Sequence, residues 1–529
     1  KKKRMCAMNL PPRPGSPLVF KLPDGEAYAA LRKILLRRGW AEYNPRVHHP
    51  SEWNLLWRLP FADASKYRYC SKHLQRVNHY EKSSGICMKD QLTRNLRRMQ
   101  HVFRKPYGFY PPTYILPRDL RKFESAFRAK KKAGDRDNLW ICKPADGSQG
   151  EDIYLLNSLG DIEYSGPMVI QKYLSDPCLI AGYKFDLRVY VMVDSFRPLD
   201  VFLYREGLVR FSAEKYDLQD IDNVYAHLTN SSINKHSDTY HLNKEGVGKG
   251  CKWTLTRFFK YLSSKRVNTQ KLWLKIQDLI LLTLLPIVHV VPPIPACFEL
   301  FGFDIILDRN MKPWLLEVNA SPSISVNGDV DKKVKIPLLN DSLDIMGWDT
   351  HKYPPEEMRH AHAALERARR SPATASPRCG SPEYQRSNSE VSDYKRVKSK
   401  VRTRWRKRSP RIPPKSQAPQ RRWSAIGRGG QNATHSPEKS DGIPVLKCNE
   451  PAWVSERVGG FERIYPFSEK TKLASQLIDP LGYRANGIDS PFVSQQFDQL
   501  VVCEIRARSR RFSDENRKKR NPSAARKGR

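Results

Sequence analysis

The sequence predicts a mixed α/β (α+β) fold followed by a long basic tail, on three observations. From Trp140 onward, short apolar or alternating runs that read as strands are interleaved with helical stripes. Residues 184–191 alternate strictly, with Phe185, Leu187, Val189 and Val191 on one face and Lys184, Asp186, Arg188 and Tyr190 on the other. Composition then shifts after residue 370. The 529 residues carry 93 Lys+Arg against 55 Asp+Glu, a formal net charge of +38, and residues 371–529 hold 34 basic and 15 acidic residues, half of that excess. Such a field draws polyanions: nucleic acid, anionic membrane or acidic protein tails.

In chain order, Leu31, Ile34 and Leu35 mark a helix within residues 27–39, and Trp53, Leu56 and Trp57 form a second core-facing stripe at helical spacing. Pro106, Pro111, Pro112 and Pro117 mark a boundary. Strands are expected at 139–144, 168–174 and 184–193, and a hairpin turning at Glu206-Gly207 joins 201–204 to 208–211. Helices follow at 255–262 and at 272–285, the latter apolar nearly all round, before a last strand pair at 298–307 and 313–319. A basic helix is expected at 356–370, and the Ser-, Pro- and Arg-rich remainder reads as disordered. Apolar patches in it, such as 461–467, read as short binding motifs.

Ten scattered cysteines without C-x-x-C or zinc-like spacing suit a reduced cytosolic compartment. The longest apolar run, 279–291, is broken by Pro286 and His289, so neither a membrane span nor a signal peptide is expected. No Ser-His-Asp order or Cys-His pairing stands out.

Four segments carry chemistry. The strongest joins Phe301-Gly302-Phe303-Asp304 to Trp314-Leu315-Leu316-Glu317-Val318-Asn319. Alternation puts Glu317 and Asn319 on one face and Trp314, Leu316 and Val318 on the other. If Asp308 pairs with Pro313 across a short loop, Asp304 falls opposite Glu317. Facing carboxylates repel; a Mg²⁺ ion between them removes that cost, with Asn319 adding a neutral oxygen. A solvated polar face, with Asp308 or Arg309 in the turn, is the alternative. In the second segment, Lys143 precedes a Gly-containing loop that can hold phosphates through charge and backbone N–H groups. It is neither a Walker A nor a G-x-G-x-x-G sequence, and an ordinary hairpin turn fits it as well. The third is the charged face of 184–191, either half-exposed or the floor of a nucleotide cleft. The fourth, 225–235, is a polar loop in which His227 caps or packs.

Together these segments resemble the tubulin tyrosine ligase-like family of ATP-grasp ligases, over residues 18–347. The resemblance is carried by Trp140-Ile141-Cys142-Lys143-Pro144, Gln171-Lys172-Tyr173-Leu174, Lys184-Phe185-Asp186-Leu187-Arg188, His227-Leu228-Thr229-Asn230-Ser231-Ser232-Ile233-Asn234-Lys235, Phe301-Gly302-Phe303-Asp304 and Leu316-Glu317-Val318-Asn319-Ala320-Ser321-Pro322. Upstream, Gln75-Arg76-Val77-Asn78-His79 and Lys89-Asp90 are similar to the family's N-terminal segment.

The resemblance implies an ATP-grasp core with an N-terminal subdomain (18–110), a central subdomain with the phosphate loop (111–166) and a C-terminal subdomain with the metal site (167–348); composition adds a disordered start (1–17), a basic helix (349–370) and a disordered basic tail (371–529). It implies ATP and Mg²⁺ as cofactors. Lys143 and Lys184 would meet phosphates, with Ser148, Gln149 and Gly150 in the phosphate loop, and Thr229 and Asn230 close by. Gln171, Lys172, Tyr173 and Leu174 would form the hinge beside adenine, and Asp186 would hold the ribose side. Asp304, Glu317 and Asn319 would bind Mg²⁺; Arg210, Ser232 and Lys252 would face the incoming amino acid; Arg188, Arg210 and Glu317 form the catalytic set.

The implied reaction joins glutamate to glutamate side chains in tubulin C-terminal tails through an acyl phosphate. Free L-glutamate and tubulin or microtubules would be the partners, and the cytoplasm, cytoskeleton, cilium or flagellar basal body the location. A monomer is expected, without membrane or nucleic-acid partners. One departure stands out. The family's loop reads Ser-Arg-Gly-Arg-Gly-Ile, and here it is Ser148-Gln149-Gly150-Glu151-Asp152-Ile153, so two cations are lost and two anions gained. That loop favours the alternative of a catalytically weakened tubulin-binding relative. Glutamate against glycine, α- against β-tubulin, and initiation against elongation stay open.

Overall fold

The computed structural model describes residues 17–347 (except 49, 51, 61–66, 68–69, 71–74, 135–137, 148–149 and 165), 457–467, 471 and 490–520. It is a mixed α/β fold built on two main sheets. The strands are β1 (Val19–Lys21), β2 (Ala41–Glu42), β3 (Leu55–Leu56), β4 (Arg76–Asn78), β5 (Thr113–Leu116), β6 (Trp140–Pro144), β7 (Tyr154–Leu156), β8 (Met168–Lys172), β9 (Leu179–Ile180), β10 (Tyr183–Phe196), β11 (Leu199–Phe211), β12 (Asn243–Lys244), β13 (Gly248–Lys249), β14 (Lys252–Thr254), β15 (Cys297–Leu307), β16 (Pro313–Asn319), β17 (Arg457–Val458) and β18 (Phe461–Tyr465). The helices are α1 (Ala29–Arg37), α2 (Lys89–Phe103), α3 (Leu120–Lys132), α4 (Val224–His227), α5 (Ser231–Asn234), α6 (Leu255–Ser264), α7 (Thr269–Val288), α8 (Asp329–Met346) and α9 (Ser490–Arg520).

The central sheet has the order β5-β8-β6-β7, all antiparallel. The large sheet runs β17-β18-β11-β10-β15-β4-β3-β1-β2, with β14 on β11, β16 on β15 and β9 on β10. Its β10 shows why alternation is informative. Phe185, Leu187, Val189 and Val191 enter one core with α6 and α7. Tyr190 and Met192 enter a second core with α1 and α8. Between them, Lys184, Asp186 and Arg188 are buried without joining either core. Each large apolar side chain buried this way stabilises the fold by about 1.5–3 kcal/mol.

Several expectations are corrected. Trp53, Leu56 and Trp57 lie on extended chain around β3, which pairs in parallel with β1 and β4; tertiary pairing overrides a three-residue helical spacing. The hairpin turns between Phe196 and Leu199, and Glu206-Gly207 lies within β11. A Cβ at Gly207 would stand 2.5 Å from the Arg188 carbonyl oxygen, so glycine here permits close strand approach. β8 belongs to the central sheet, so a boundary at 166/167 divides that sheet, and β1–β4 extend the large sheet rather than forming one of their own.

The tail is corrected most. β18 pairs with β11 through Val201↔Tyr465 to Tyr204↔Phe461, and α9 buries Phe497, Val501, Val502 and Ile505 in the core that holds α7. This explains the all-round apolarity of α7, whose second side is covered by the end of the chain. The helix expected at 356–370 lies outside the described residues, as do 1–16 and the remainder of 371–529. Among the described residues no helix is long and apolar enough to cross a membrane.

Candidate active site

The two sheets line a cleft whose empty space, open solvent included, is about 830 Å³. β6 contributes Lys143 and Ile141, β8 contributes Gln171 and Lys172, and Tyr173 and Leu174 follow directly. From the large sheet come Lys184 and Asp186 on β10, Arg210 on β11, Asp304 and Ile306 on β15, and Leu316 and Glu317 on β16. Thr229 and Asn230 approach from the α4–α5 turn, and Gly150 and Glu151 from the loop after β6.

Arg210 and Arg188 order the floor. Arg210 Nε donates to Asp186 Oδ1 at 2.8 Å, and its Nη2 donates to Asp186 Oδ2 at 2.5 Å and Asp304 Oδ2 at 2.8 Å. Arg188 grips Asp304 with Nε at 2.5 Å and Nη2 at 2.9 Å. Thr229 Oγ1 donates to Asp186 Oδ2 at 2.7 Å. Burial opposes the charge of Asp304, but the two guanidinium groups outweigh it and hold its pKa well below the usual carboxylate range.

Glu317 differs. Burial, and then Asp304, push its pKa up, against the pull of Lys89, Lys143 and Arg188. Among the described residues it has no ion pair, and Asn319 Nδ2 lies 3.4 Å from both Glu317 Oε1 and Asp304 Oδ2. Asp304 does face Glu317, though by two offsetting departures from the expected register. Leu307, not Asp308, pairs with Pro313, and an irregularity between Asp304 and Ile305 restores the Asp304↔Glu317 pair. The same irregularity turns Leu316 into the cleft, where strict alternation had placed it on the other face.

The lysines are held by neutral groups. Lys143 Nζ donates to Gln171 Oε1 at 2.9 Å, and Gln171 Nε2 donates to Thr113 Oγ1 at 2.9 Å. Lys184 Nζ donates to the Tyr173 hydroxyl at 2.8 Å and the His227 carbonyl oxygen at 2.7 Å. Tyr173 OH lies 2.9 Å from His227 Nδ1, whose Nε2 lies 2.9 Å from the Asp220 carbonyl oxygen. That set assigns a neutral, Nε2-protonated imidazole, in keeping with burial lowering its pKa. His227 therefore positions Tyr173. Burial pulls Lys143 down to about 8, with Glu317 opposing, and Lys184 to about 7, with Asp186 opposing.

Of the expected residues, Arg188 and Asn319 border the cleft through Asp304. Lys252 pairs across the sheet with Arg210, but its ammonium is turned to Asp331 at 2.9 Å. Ser232 lies on α5, off the lining. Ser148 and Gln149 lie outside the described residues. Gly150 adopts φ +86°, and a Cβ there would stand 2.3 Å from Ile233 Cδ1, so the loop requires glycine at this point. Asp152 takes a left-handed φ of +54° and is exposed. Sequence reasoning missed Lys89 and the apolar walls Ile141, Ile153, Leu228 and Ile306; the Lys89-Asp90 pair was the available signal for the first.

A two-sheet α/β protein with paired lysines facing paired carboxylates in one cleft is the class that this geometry defines. Residues 67–360 match the tubulin-tyrosine ligase family, more than half of the chain, and the protein belongs to that family. The Homo sapiens protein described as probable tubulin polyglutamylase TTLL2 is 42% identical over 332 residues, 62% of this chain and 56% of that protein. The Mus musculus protein of the same description is 41% identical over 335 residues, 63% of this chain and 62% of that one. The Danio rerio tubulin polyglutamylase ttll6 is 38% identical over 359 residues, 65% and 44% of the two chains. In each case the match spans less than two thirds of the relative's length.

Proposed function

We propose that the protein is an ATP-grasp ligase that uses ATP and Mg²⁺ to join glutamate to glutamate side chains in tubulin C-terminal tails, at the cytoskeleton. The carrying observation is the opposition of Lys143 and Lys184 to Asp304 and Glu317 inside one cleft. The names of its relatives point to the same substrate.

The donor set fits a hard divalent cation. Glu317 brings two carboxylate oxygens without a cationic partner among the described residues, Asp304 Oδ1 keeps a lone pair beside its Arg188 bond, and the Asn319 amide, when turned, offers its oxygen. Among the described residues no group of three His, Cys, Asp or Glu could hold a metal, and the Asn319 amide would add a third protein oxygen to the two carboxylates, with phosphate and water oxygens completing the shell. Bound there, Mg²⁺ would neutralise phosphate charge.

The chain's own residues account for the rest. Ile141, Leu228, Ile306 and Leu316 wall the purine end apolar, beside hinge groups at 171–174. Lys143 and Lys184 neutralise phosphate oxygens as phosphoryl transfer activates a carboxylate. In that step a carboxylate oxygen bonds to the γ-phosphorus and the bond to ADP breaks. The amine then attacks the acyl carbon, phosphate leaves, and the amine proton is lost to the medium. Arg210 and Arg188 anchor the acidic residues against this charge movement.

The second reading, a catalytically weakened tubulin-binding relative, is favoured by Glu151 in the cleft wall. Mass spectrometry of tubulin incubated with the protein, Mg-ATP and each amino acid in turn decides between them. Added glutamate residues support the ligase, and unmodified tubulin under all conditions overturns it.

A further inference from the structure

We propose that Ser509 of α9 is a phosphorylation site for a serine kinase that selects arginine-rich segments, and that its phosphate releases the outer half of α9 from α7. The serine lies in Arg506-Ala507-Arg508-Ser509-Arg510-Arg511, with four arginines within three residues of it. Kinases choose substrates by charge patterns of this kind. In the step, Ser509 Oγ bonds to the γ-phosphorus of the kinase's ATP, the bond to ADP breaks, and the hydroxyl proton passes to the medium. Ser509 is exposed. The side chains that seat α9, Phe497, Val501, Val502 and Ile505, all precede it, and among the described residues of α9 none after Ile505 is buried. The end of the helix can therefore unwind into the extended chain that a kinase binds without uncovering the core.

What the phosphate would meet is a carboxylate. Ser509 Oγ donates to Asp278 Oδ2 on α7 at 3.2 Å. The Asp278 side chain is 14% exposed, and burial pushes its pKa up to about 6, with Arg508 and the Ser509 hydroxyl pulling it back. Phosphorylation removes that donor and puts a charge of about −2 in its place, against a carboxylate that is already poorly solvated. The nearby cations are engaged elsewhere. Arg508 Nη2 donates to Gln277 Oε1 at 2.9 Å, and its guanidinium lies over the Phe467 ring. Arg506 Nη2 donates to the Phe103 carbonyl oxygen at 3.3 Å. Either arginine gives up a contact that seats α9 if it turns to the phosphate. Ser513 shares Arg510 and Arg511, but its Oγ donates to the Ser509 carbonyl oxygen of its own helix at 2.9 Å, so a charge there lacks the same lever.

The test incubates the full chain with an arginine-directed serine kinase and Mg-ATP, maps the phosphate by mass spectrometry, and follows amide hydrogen exchange over residues 506–520. The expected result is phosphate on Ser509 and exchange faster by about tenfold or more, the effect of one like-charge contact at a partly buried site. Ser509→Glu should reproduce part of the acceleration, and Ser513→Glu should not. Asp278→Asn supplies an amide that does not repel the new charge. The double variant Ser509→Glu with Asp278→Asn should therefore exchange within about threefold of Asp278→Asn alone. No phosphate on Ser509, unchanged or slower exchange in the phosphorylated chain, or the same acceleration by Ser509→Glu with Asp278 present and replaced each overturns the proposal.

Discussion

The guanidinium of Arg210 on β11 reaches Asp304 on β15 at 2.8 Å, across the whole width of β10, while also gripping Asp186 on that middle strand. One planar fork thus ties three strands together beneath the cleft. Lysine offers a point charge instead of a fork and cannot bridge both carboxylates. Arg210→Lys should abolish ligation and cost about 1.5–3 kcal/mol of stability, since it keeps the charge but loses at least one of the charged hydrogen bonds to Asp186 and Asp304. Denaturant unfolding and a ligation assay on the same preparation check this, and a variant of wild-type stability would show that the fork is dispensable.

Glu317→Gln should remove ligation and leave the fold intact. A carboxyl whose folded pKa lies above its unfolded value lends its stability in the protonated form and loses it as pH rises through the folded pKa. At pH 7 the metal-free wild type therefore carries a penalty that Gln lacks. The expected outcome is a thermal midpoint at or above wild type without Mg²⁺, together with loss of the Mg²⁺-induced rise that wild type shows.

ATP affinity should depend on pH through Lys184, whose amine burial lowers to about 7, with Asp186 opposing and Lys143 adding to the shift. Its direct neighbours, Tyr173 OH and the His227 carbonyl oxygen, are neutral. Phosphate binding raises the pKa of the amine. Affinity is then fully present below the free value and falls as pH rises through 7 toward the bound value, by at most about tenfold per pH unit. Proton uptake on binding at pH 8, seen as a buffer-dependent heat, is the signature, and Lys184→Met should abolish most of it.

The loop after β6 can be restored toward its relatives with Gln149→Arg, Glu151→Arg and Asp152→Gly. Glycine removes the strain of a non-glycine residue at φ +54°, and the arginines reverse the charge of the wall. ATP affinity should rise at least tenfold in direct titration. Unchanged affinity would mean that the acidic side chains turn away from bound nucleotide.

Removing everything after Arg370 should do more than discharge the protein. Phe461, Ile464, Tyr465, Phe497, Val501, Val502 and Ile505 are buried, and their loss uncovers β11 and α7. Such a truncation should lower stability by several kcal/mol. Internal deletion of 371–451 instead removes the ten basic residues between Lys395 and Arg411, and should keep the thermal midpoint while weakening microtubule cosedimentation chiefly at low salt.

What was legible in the sequence follows from range. The alternation of β10 and the short β15–β16 connection are local, so the charged floor and the Asp304–Glu317 pair could be placed before any coordinates, even though the assumed turn pairing was one residue off. Lys89 meets the loop only through tertiary packing, which no local pattern encodes. The five residues of β18 read as a free binding motif because their partner strand lies far upstream. In α9, Phe497, Val501 and Ile505 recur at helical spacing, a signal outweighed by the polar composition around them.

The pairing of β18 with β11 sets an order of events during synthesis. The Val201–Tyr204 stretch of β11, paired on one side with β10, meets its second neighbour only when Phe461–Tyr465 emerges, more than 250 residues later. At ribosomal rates of about 5–20 residues per second the interval is roughly 10–50 s. Throughout it, an apolar strand with unsatisfied backbone groups stands at the rim of an otherwise complete sheet, a template for pairing with other chains. The protein is thus born with its edge open, and a nascent-chain chaperone has a defined stretch of backbone to shield until the last elements arrive.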